Sequence, residues 1–395
     1  MSLYAKRGVS AQKEEVHAAT RSLDQGLFPN AFCKMYPDFL GNDANWINVI
    51  HADGAGTKSI LAYLYWKETG DVSVWKGIAE DAIVMNLDDL LCVGICDNMI
   101  FSSTIDRNKH LIPGEVLQAI IEGSRELFDR LLAYGIHIHY LGGETADVGD
   151  VVRTIAVNGT LAARWPKNRV ISNSKIREGD VIVGLAGFGQ ANYESTYNSG
   201  LGSNGLTSAR HDMLHNYYAT AFPESLDPGT DPAVAYIGPY RMTDLIREPD
   251  LPEDISVGKL VLSPTRTFAP VLKPLLDEHF EEIHGLVHCS GGGQTKCMKY
   301  LPAPFSILKD QLFPTPPVFR LIQQHSGASW KEMYEVFNMG CRMEVFCRPE
   351  FAHTVIEYAK RVGVDARVTG NVLLEKQQQL RINHPGADTL VYSYS

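Results

Sequence analysis

The sequence predicts a two-domain α/β protein, and three features carry that expectation. Its 395 residues suit two domains at roughly 100–200 residues each. Strand-like and helix-like stretches alternate in both halves. A polar stretch from Pro166 to Gly179 (PKNRVISNSKIREG) separates them, so domains are expected over residues 1–168 and 169–395.

In the first half, Trp46–Ala52 (WINVIHA) alternates apolar and polar residues and reads as a strand. Ile78–Leu91 has helical spacing, and Asn98–Ile105 returns to a strand pattern. Pro113–Tyr134 is the clearest helix: Pro113 suits a first turn, Val116, Ile120, Ile121, Leu127 and Leu131 form an apolar face, and Gly135 stops it. Ile136–Leu141 and Val152–Ala163 bring the set to about four strands and two helices. In the second half, Asp180–Ala186 and Ile283–His288 read as strands. Asn204–Leu214, Arg266–His279 and Pro349–Val362 read as helices, the last with a strand after it. Between lies an inserted segment, residues 217–262. It carries Pro223, Pro228, Pro232, Pro239, Pro249 and Pro252 beside Tyr217, Tyr218, Phe222, Tyr236 and Tyr240. A disordered spacer would hold fewer aromatics, so an ordered excursion is expected, bordering a cleft or covering an interface; a surface insertion with no role accounts for it about as well.

Composition narrows the partners. The 45% hydrophobic and 21% charged content is that of an ordinary globular chain. A net charge of −10 repels nucleic acid and anionic lipid, so neither is expected as a partner. It also repels a nucleotide unless metal ions or oriented backbone amides intervene. Seven scattered cysteines, most inside apolar runs, suit reduced thiols. Cys92 and Cys96 lack a second pair at zinc spacing. Met1–Val16 is too polar for a signal peptide, and no stretch reaches ~18 apolar residues, so a cytoplasmic protein is expected.

Three segments suggest chemistry. His51–Lys58 (HADGAGTK) follows a strand with an acid, two glycines, a hydroxyl and a cation, which suits a phosphate cradle; a plain glycine turn accounts for it about as well. Asp81, Asp88 and Asp89 lie in the Ile78–Leu91 helix, where 81, 85, 88 and 89 fall on one face. Stacked carboxylates in an apolar helix repel unless cations lie between them, or unless single members face solvent. Gly142–Asp147 (GGETAD) ends the next strand with glycines and an acid, which suits a magnesium–phosphate site or a capped turn. His137 and His139 share a strand face and read as surface residues; His211 and His215, four apart, read as surface or cleft. Lys6 and Arg7 before Gly8 are candidates to close over a phosphate.

The motifs then join into a resemblance. Asp53–Lys58 resembles the D-G-V-G-T-K signature of the aminoimidazole ribonucleotide synthetase (phosphoribosylformylglycinamidine cyclo-ligase) family. Met85–Leu90 resembles its M-x-x-N-D-L helix, and Gly142–Ala146 matches G-G-E-T-A. Ser203-Asn204-Gly205 resembles the end of H-S-N-G, Ser263–Arg266 resembles A-P-T-R, Ser290–Gly293 resembles T-G-G-G, and Met333–Gly340 resembles M-Y-x-x-F-N-x-G. They stand in family order between about residues 46 and 374. The resemblance implies an α+β N-terminal domain whose sheet forms a dimer barrel with its twin, then an α/β C-terminal domain. It implies cyclisation of formylglycinamidine ribonucleotide with ATP and magnesium, in a homodimer. Asp53, Lys58, Asp89 and Asn204 become catalytic candidates. Gly54, Gly56, Thr57, Lys58, Gly142, Gly143 and Thr145 are expected to hold ATP, and Ser203, Asn204, Thr265, Gly291, Gly292 and Gly293 the ribonucleotide. Asp53, Asp81, Asp88, Asp89 and Glu144 become the metal set. The sequence departs from the family at Asp88, usually Asn, at Gly202, usually His, and after Asp147, where M-P-G-M-Y is missing. A sister kinase or synthetase, or a non-catalytic nucleotide-binding subunit, therefore stays open.

Overall fold

The computed structural model describes Arg7, Ala19 and residues 22–393. In the first half the elements are β1 (Tyr36–Pro37), β2 (Trp46–Gly54), α1 (Lys58–Thr69), α2 (Val74–Leu91), β3 (Met99–Arg107), α3 (Gly114–Leu132), β4 (Ile138–Asp147) and β5 (Ile155–Pro166). The strands form one open mixed sheet ordered β1-β2-β5-β3-β4, antiparallel except for the β3–β4 pair.

One face of this sheet is covered and the other is bare. Alternation along each strand sends Val49, Phe101, Val157 and Leu161 inward under α2 and α3, where all four are buried. α3 has the expected amphipathic pattern, with Val116, Ile120, Leu127 and Leu131 buried. Ile121, expected on that face, is instead 46% exposed. The opposite sheet face carries Ile50, Ala162, Ile100 and His139 in one cross-strand row, with Leu141 beside it. Nothing in the described chain covers this face.

The second half holds β6 (Val181–Ala186), α4 (Leu206–Met213), α5 (Ala269–His279), β7 (Ile283–His288), β8 (Phe305–Lys309), α6 (Pro317–Ser326), α7 (Trp330–Val336), β9 (Cys341–Cys347), α8 (Ala352–Arg361), β10 (Ala366–Leu374), β11 (Gln379–Ile382) and β12 (Leu390–Ser393). Its seven-stranded sheet is ordered β7-β9-β6-β10-β8-β11-β12. β7 and β9 are buried along their whole length, so hydrophobic runs without alternation are what the packing demands.

A continuous core joins the halves through α2, apolar all round and buried nearly throughout. The polar stretch after Pro166 is docked rather than free. Asn173 is fully buried and accepts from the Leu286 N–H at 2.9 Å, and Ile171 and Ile176 pack into the core. The 217–262 segment is ordered, with Tyr218 and Tyr236 fully buried. It clamps both halves: the Tyr218 hydroxyl donates to Glu68 of α1, while Tyr236 stacks edge-on against His211 of α4. No helix among the described residues is long and apolar enough to cross a membrane.

Candidate active site

α2 positions three carboxylates, and each meets a different set of donors. Asp81 accepts from Lys58 Nζ at 2.9 Å, from the Thr265 N–H at 2.8 Å and from the Thr265 hydroxyl at 2.5 Å. One helical repeat further, Asp88 accepts from the Thr267 hydroxyl at 2.6 Å and from the Phe268 N–H. Asp89 turns away toward β2 and β7, taking His288 Nδ1–H at 2.7 Å and facing His51 Nε2 at 3.3 Å. Asp81 and Asp88 therefore hold the 265–268 segment of the second half, and Asp89 lies beneath the site.

The protons in this cluster follow from the hydrogen bonds. Asn86 Nδ2 donates toward the Asp53, Ala82 and Gly159 carbonyls, which fixes its Oδ1 toward His51 Nδ1 at 2.9 Å. His51 thus donates from Nδ1, and its Nε2 faces the Asp89 carboxylate, which accepts a hydrogen bond if Nε2 carries a proton as well. Burial works against charging His51, but the bond and charge of Asp89 outweigh it and raise its pKa. His288 goes the other way. Burial, with Arg342 nearby, lowers it to about 4, so it is a neutral imidazole with its proton on Nδ1 and a lone pair on Nε2. That Nε2 is buried and has no partner. Burial would raise Asp89, yet the two imidazoles hold it well below the carboxylate range.

The remaining motif residues gather around this cluster. Asn204 has its Nδ2 beside Gly291 and a buried, unpartnered Oδ1. Ser203 Oγ reaches Thr265 Oγ1 at 3.4 Å, and Thr57 Oγ1 reaches Thr207 Oγ1 at 2.6 Å. Gly292 and Gly293 take left-handed φ values of 96° and 50° and lead into the 3₁₀ turn Gly293–Lys299 rather than an α-helix. Lys296 of that turn donates to Ser290 Oγ at 2.6 Å and lends positive charge to Asp53 and Asp89.

Known proteins resemble this chain in sequence and in fold. Residues 41–164 match the model of the AIR synthase related protein N-terminal domain. Over most of its length the chain is similar to proteins named phosphoribosylformylglycinamidine cyclo-ligase. That of Methanocaldococcus jannaschii is 28% identical over 335 residues, covering 82% of this chain and 78% of its own. That of Thermococcus kodakarensis is 29% identical, covering 74% and 70%. Two solved structures share the fold. A chain of the HypE–HypF complex has a TM-score of 0.56 at 14% identity, covering 98% of this chain and 99% of that one. AaThiL complexed with AMPPCP and TMP has a TM-score of 0.55 at 10% identity, covering 96% of each.

Several sequence expectations change within residues 41–164. Lys58, expected at a phosphate, is fully buried and donates to Asp81 and to the Ser263 carbonyl at 2.5 Å; it ties the halves together. The GGETAD motif is no turn. Gly142, Gly143, Glu144 and Thr145 run on within β4, and a Cβ on Gly143 would overlap the Ser103 backbone, so close strand approach explains that glycine. The five metal candidates do not converge. In the sheet register Asp53 lies in a row with Gly159, Ser103 and Gly143, while Glu144 lies in the next row with Thr104, Asn158 and Gly54. They therefore point to opposite faces, three strand spacings or roughly 14 Å apart. Asp88 is held by Thr267 and Phe268, and Asp81 takes its three protein donors on Oδ1 alone. No group of three His, Cys, Asp or Glu side chains among the described residues is placed to hold a metal. The set does not fit one magnesium ion within one chain.

Smaller expectations also move. His211 is buried and accepts the Tyr236 N–H at 3.1 Å, so it is neither surface nor cleft. His137 pairs with Asp97 at 2.9 Å. All seven cysteines are free and buried. Arg7 is committed to Asp212 at 2.7 Å, and Lys6 and Gly8 lie outside the described residues. The sequence reading passed over His51, Asn86, His288, Lys296 and Arg342 as functional residues. Two signals were present: His288 ends an apolar strand just before Ser290–Gly293, and Arg342 interrupts the apolar run of β9.

Proposed function

We propose that this protein converts formylglycinamidine ribonucleotide to aminoimidazole ribonucleotide in the cytoplasm, with ATP becoming ADP and phosphate. The names of its relatives support the reading. The observation that carries it is His288: a neutral, buried imidazole oriented by Asp89, with Nε2 unpartnered, two residues before the 290–293 turn beside which Asn204 lies. An amide oxygen is a poor leaving group. Moving the γ-phosphoryl of ATP onto it gives an O-phosphorylated imidate. The substrate's own amidine nitrogen then attacks that carbon, the C–O bond breaks, and the oxygen leaves as phosphate. The attacking nitrogen loses a proton, and in this reading the lone pair on His288 Nε2 takes it, with the Asp89 carboxylate on Nδ1–H offsetting the charge that forms. Asn204 Oδ1 accepts from a substrate N–H and fixes the nitrogen's approach. Ser203, Thr265 and Gly291–Gly293 border the ribonucleotide in this reading, and Gly54, Gly56 and Thr57 border ATP. A magnesium ion arriving with ATP would find Asp53, whose carboxylate accepts only from the Gly54 N–H; no step above is routed through it.

A homodimer is part of the proposal. The bare face of the five-stranded sheet, with its apolar row, suits a second copy of the same sheet closing into a barrel. Purified protein, ATP, magnesium and formylglycinamidine ribonucleotide test the reading. Aminoimidazole product and ADP should form in equal amounts. ADP without the aminoimidazole would point to a sister enzyme with another acceptor. Nucleotide binding without any turnover would point to a non-catalytic subunit.

A further inference from the structure

Arg342 stands at a bulge. The register of β9 against β6 passes from Cys341↔Ala186 to Met343↔Leu185, which leaves Arg342 as the extra residue. Bulges re-aim the side chain they carry. This one directs the guanidinium into the junction of the two halves, with Nη2 3.2 Å from Met85 Sδ of α2. Two glycines make the room. A Cβ on Gly202 would overlap Arg342 Nη1, and one on Gly187 would stand 3.1 Å from Arg342 Cβ.

The guanidinium is sealed but not satisfied. Arg342 is 1% exposed, and its Nε and Nη1 have no hydrogen-bond partner. Asp81, Asp88 and Asp89 act on it electrostatically, yet each accepts from other donors: Lys58 and Thr265, Thr267 and Phe268, His288 and His51. A guanidinium does not shed its proton in a protein, and a buried cation with open donors is costly unless something accepts from them. Three more unpartnered atoms belong to segments that touch it, one of them Asp81 Oδ2 of α2, the helix that carries Met85. Asn204 Oδ1 follows Gly202 in the chain, and His288 Nε2 lies one residue before Cys289, whose N–H donates to the Arg342 carbonyl at 2.7 Å.

We propose that Arg342 is an anion-binding residue of this cleft, its Nε and Nη1 gripping two oxygens of a phosphoryl group on a ligand seated between the halves. The inference rests on the reading of the site given above, in which both ATP and the ribonucleotide carry such a group. A planar fork matches phosphoryl oxygens two at a time, which a lysine does not. The loop from Gly200 to Gly205 covers the guanidinium, with Gly200, Gly202 and Gly205 at φ 83°, 68° and 78°. It presents bare backbone to the ligand and shifts to admit it.

Calorimetric titration of the full chain with ATP and, separately, with formylglycinamidine ribonucleotide tests this, using wild type, Arg342→Gln and Arg342→Lys. The expected result is a 30-fold or greater loss of affinity for one of the two ligands in Arg342→Gln, on the order of a lost charge-assisted pair. Arg342→Lys should recover part of it, and the other ligand identifies itself by binding unchanged. If Arg342→Gln does not fold, the Lys variant decides alone, because it keeps the charge and loses the fork. A folded variant that binds both ligands as wild type does would overturn the proposal and leave Arg342 a structural counter-charge. If wild type binds neither nucleotide, the enzymatic reading fails, and titration with inorganic pyrophosphate then decides. Binding lost in Arg342→Gln upholds Arg342 as an anion site, whereas equal or absent binding overturns it.

Discussion

Asp88 and Asp89 adjoin in one buried helix, yet their surroundings drive them in opposite directions. Burial dominates at Asp88 and raises its pKa to about 7, against the Thr267 bond and the charge of Arg342. At Asp89 two imidazoles overcome the same burial. The sign for Asp88 follows. The unfolded carboxyl ionises near 4 and the folded one near 7, so the folded state holds more protons between those values. Stability is therefore fullest at low pH and falls as pH rises from 4 to 7, by up to about 1.4 kcal/mol per pH unit. Chemical denaturation at pH 5, 6 and 7 should show a steeper decline for wild type than for Asp88→Asn. A difference between the two that stays constant with pH would mean that Asp88 is ionised throughout. His288 gives a kinetic counterpart. His288→Gln should cut product formation by roughly 10²–10⁴-fold, the usual worth of a positioned acid–base group, with the affinity for ATP little changed. Wild-type turnover in that variant would remove His288 from the chemistry.

The docking of α2 against residues 263–268 shows how an element is held by buried polar pairs rather than by propensity. Lys58 and Asp81 are both fully buried, and neither has water to fall back on. Lys58→Met leaves Asp81 a buried charge without its cation, at a cost of about 3–5 kcal/mol. Replacing both by apolar residues should recover much of that, as seen in the midpoint of urea unfolding. Equal stability of wild type and Lys58→Met would show that Thr265 alone satisfies Asp81. This pairing was not legible in the sequence, where Lys58 closes a glycine-rich motif and reads as a phosphate ligand. Strand and helix positions were legible wherever one face met the core: β2, β3, α3 and β7 lie within a few residues of their expected ranges. The helix Lys58–Thr69 was missed because its apolar residues have no single face; it packs between α2 and the 217–262 segment. GGETAD was misjudged for a different reason. Two glycines suggest a turn, but in this edge strand Gly142 takes a left-handed φ where the register against β3 shifts, and Gly143 permits close approach to Ser103. Motif order pointed to a candidate site, whereas several partners of its charged side chains, such as Thr265 for Asp81 and His288 for Asp89, lie close to 200 residues away in the chain.

At the scale of the whole molecule the unresolved demand is the bare sheet face. Ile50, Ile100 and Leu141 are 72%, 43% and 68% exposed, and Ile50 and Ile100 share one cross-strand row with Ala162 between them. β4 is also an edge strand, and its Gly142–Glu144 stretch is wholly exposed. Single exposed apolar residues are ordinary, but a contiguous apolar row beside an open edge invites pairing with another chain. The closed solution is a two-fold pair, because a surface that complements itself terminates the assembly instead of propagating it. We therefore expect a dimer mass by light scattering at micromolar concentration, and a monomer for Ile50→Glu and Ile100→Glu combined. Two carboxylates in a row that must lose its water would cost more than the apolar contact returns. The side chains of both positions point away from the core, so folding of each chain should survive with its melting transition nearly unchanged. A wild-type monomer would sink the dimer reading. A dimer that persists in the double variant would place the interface on another surface.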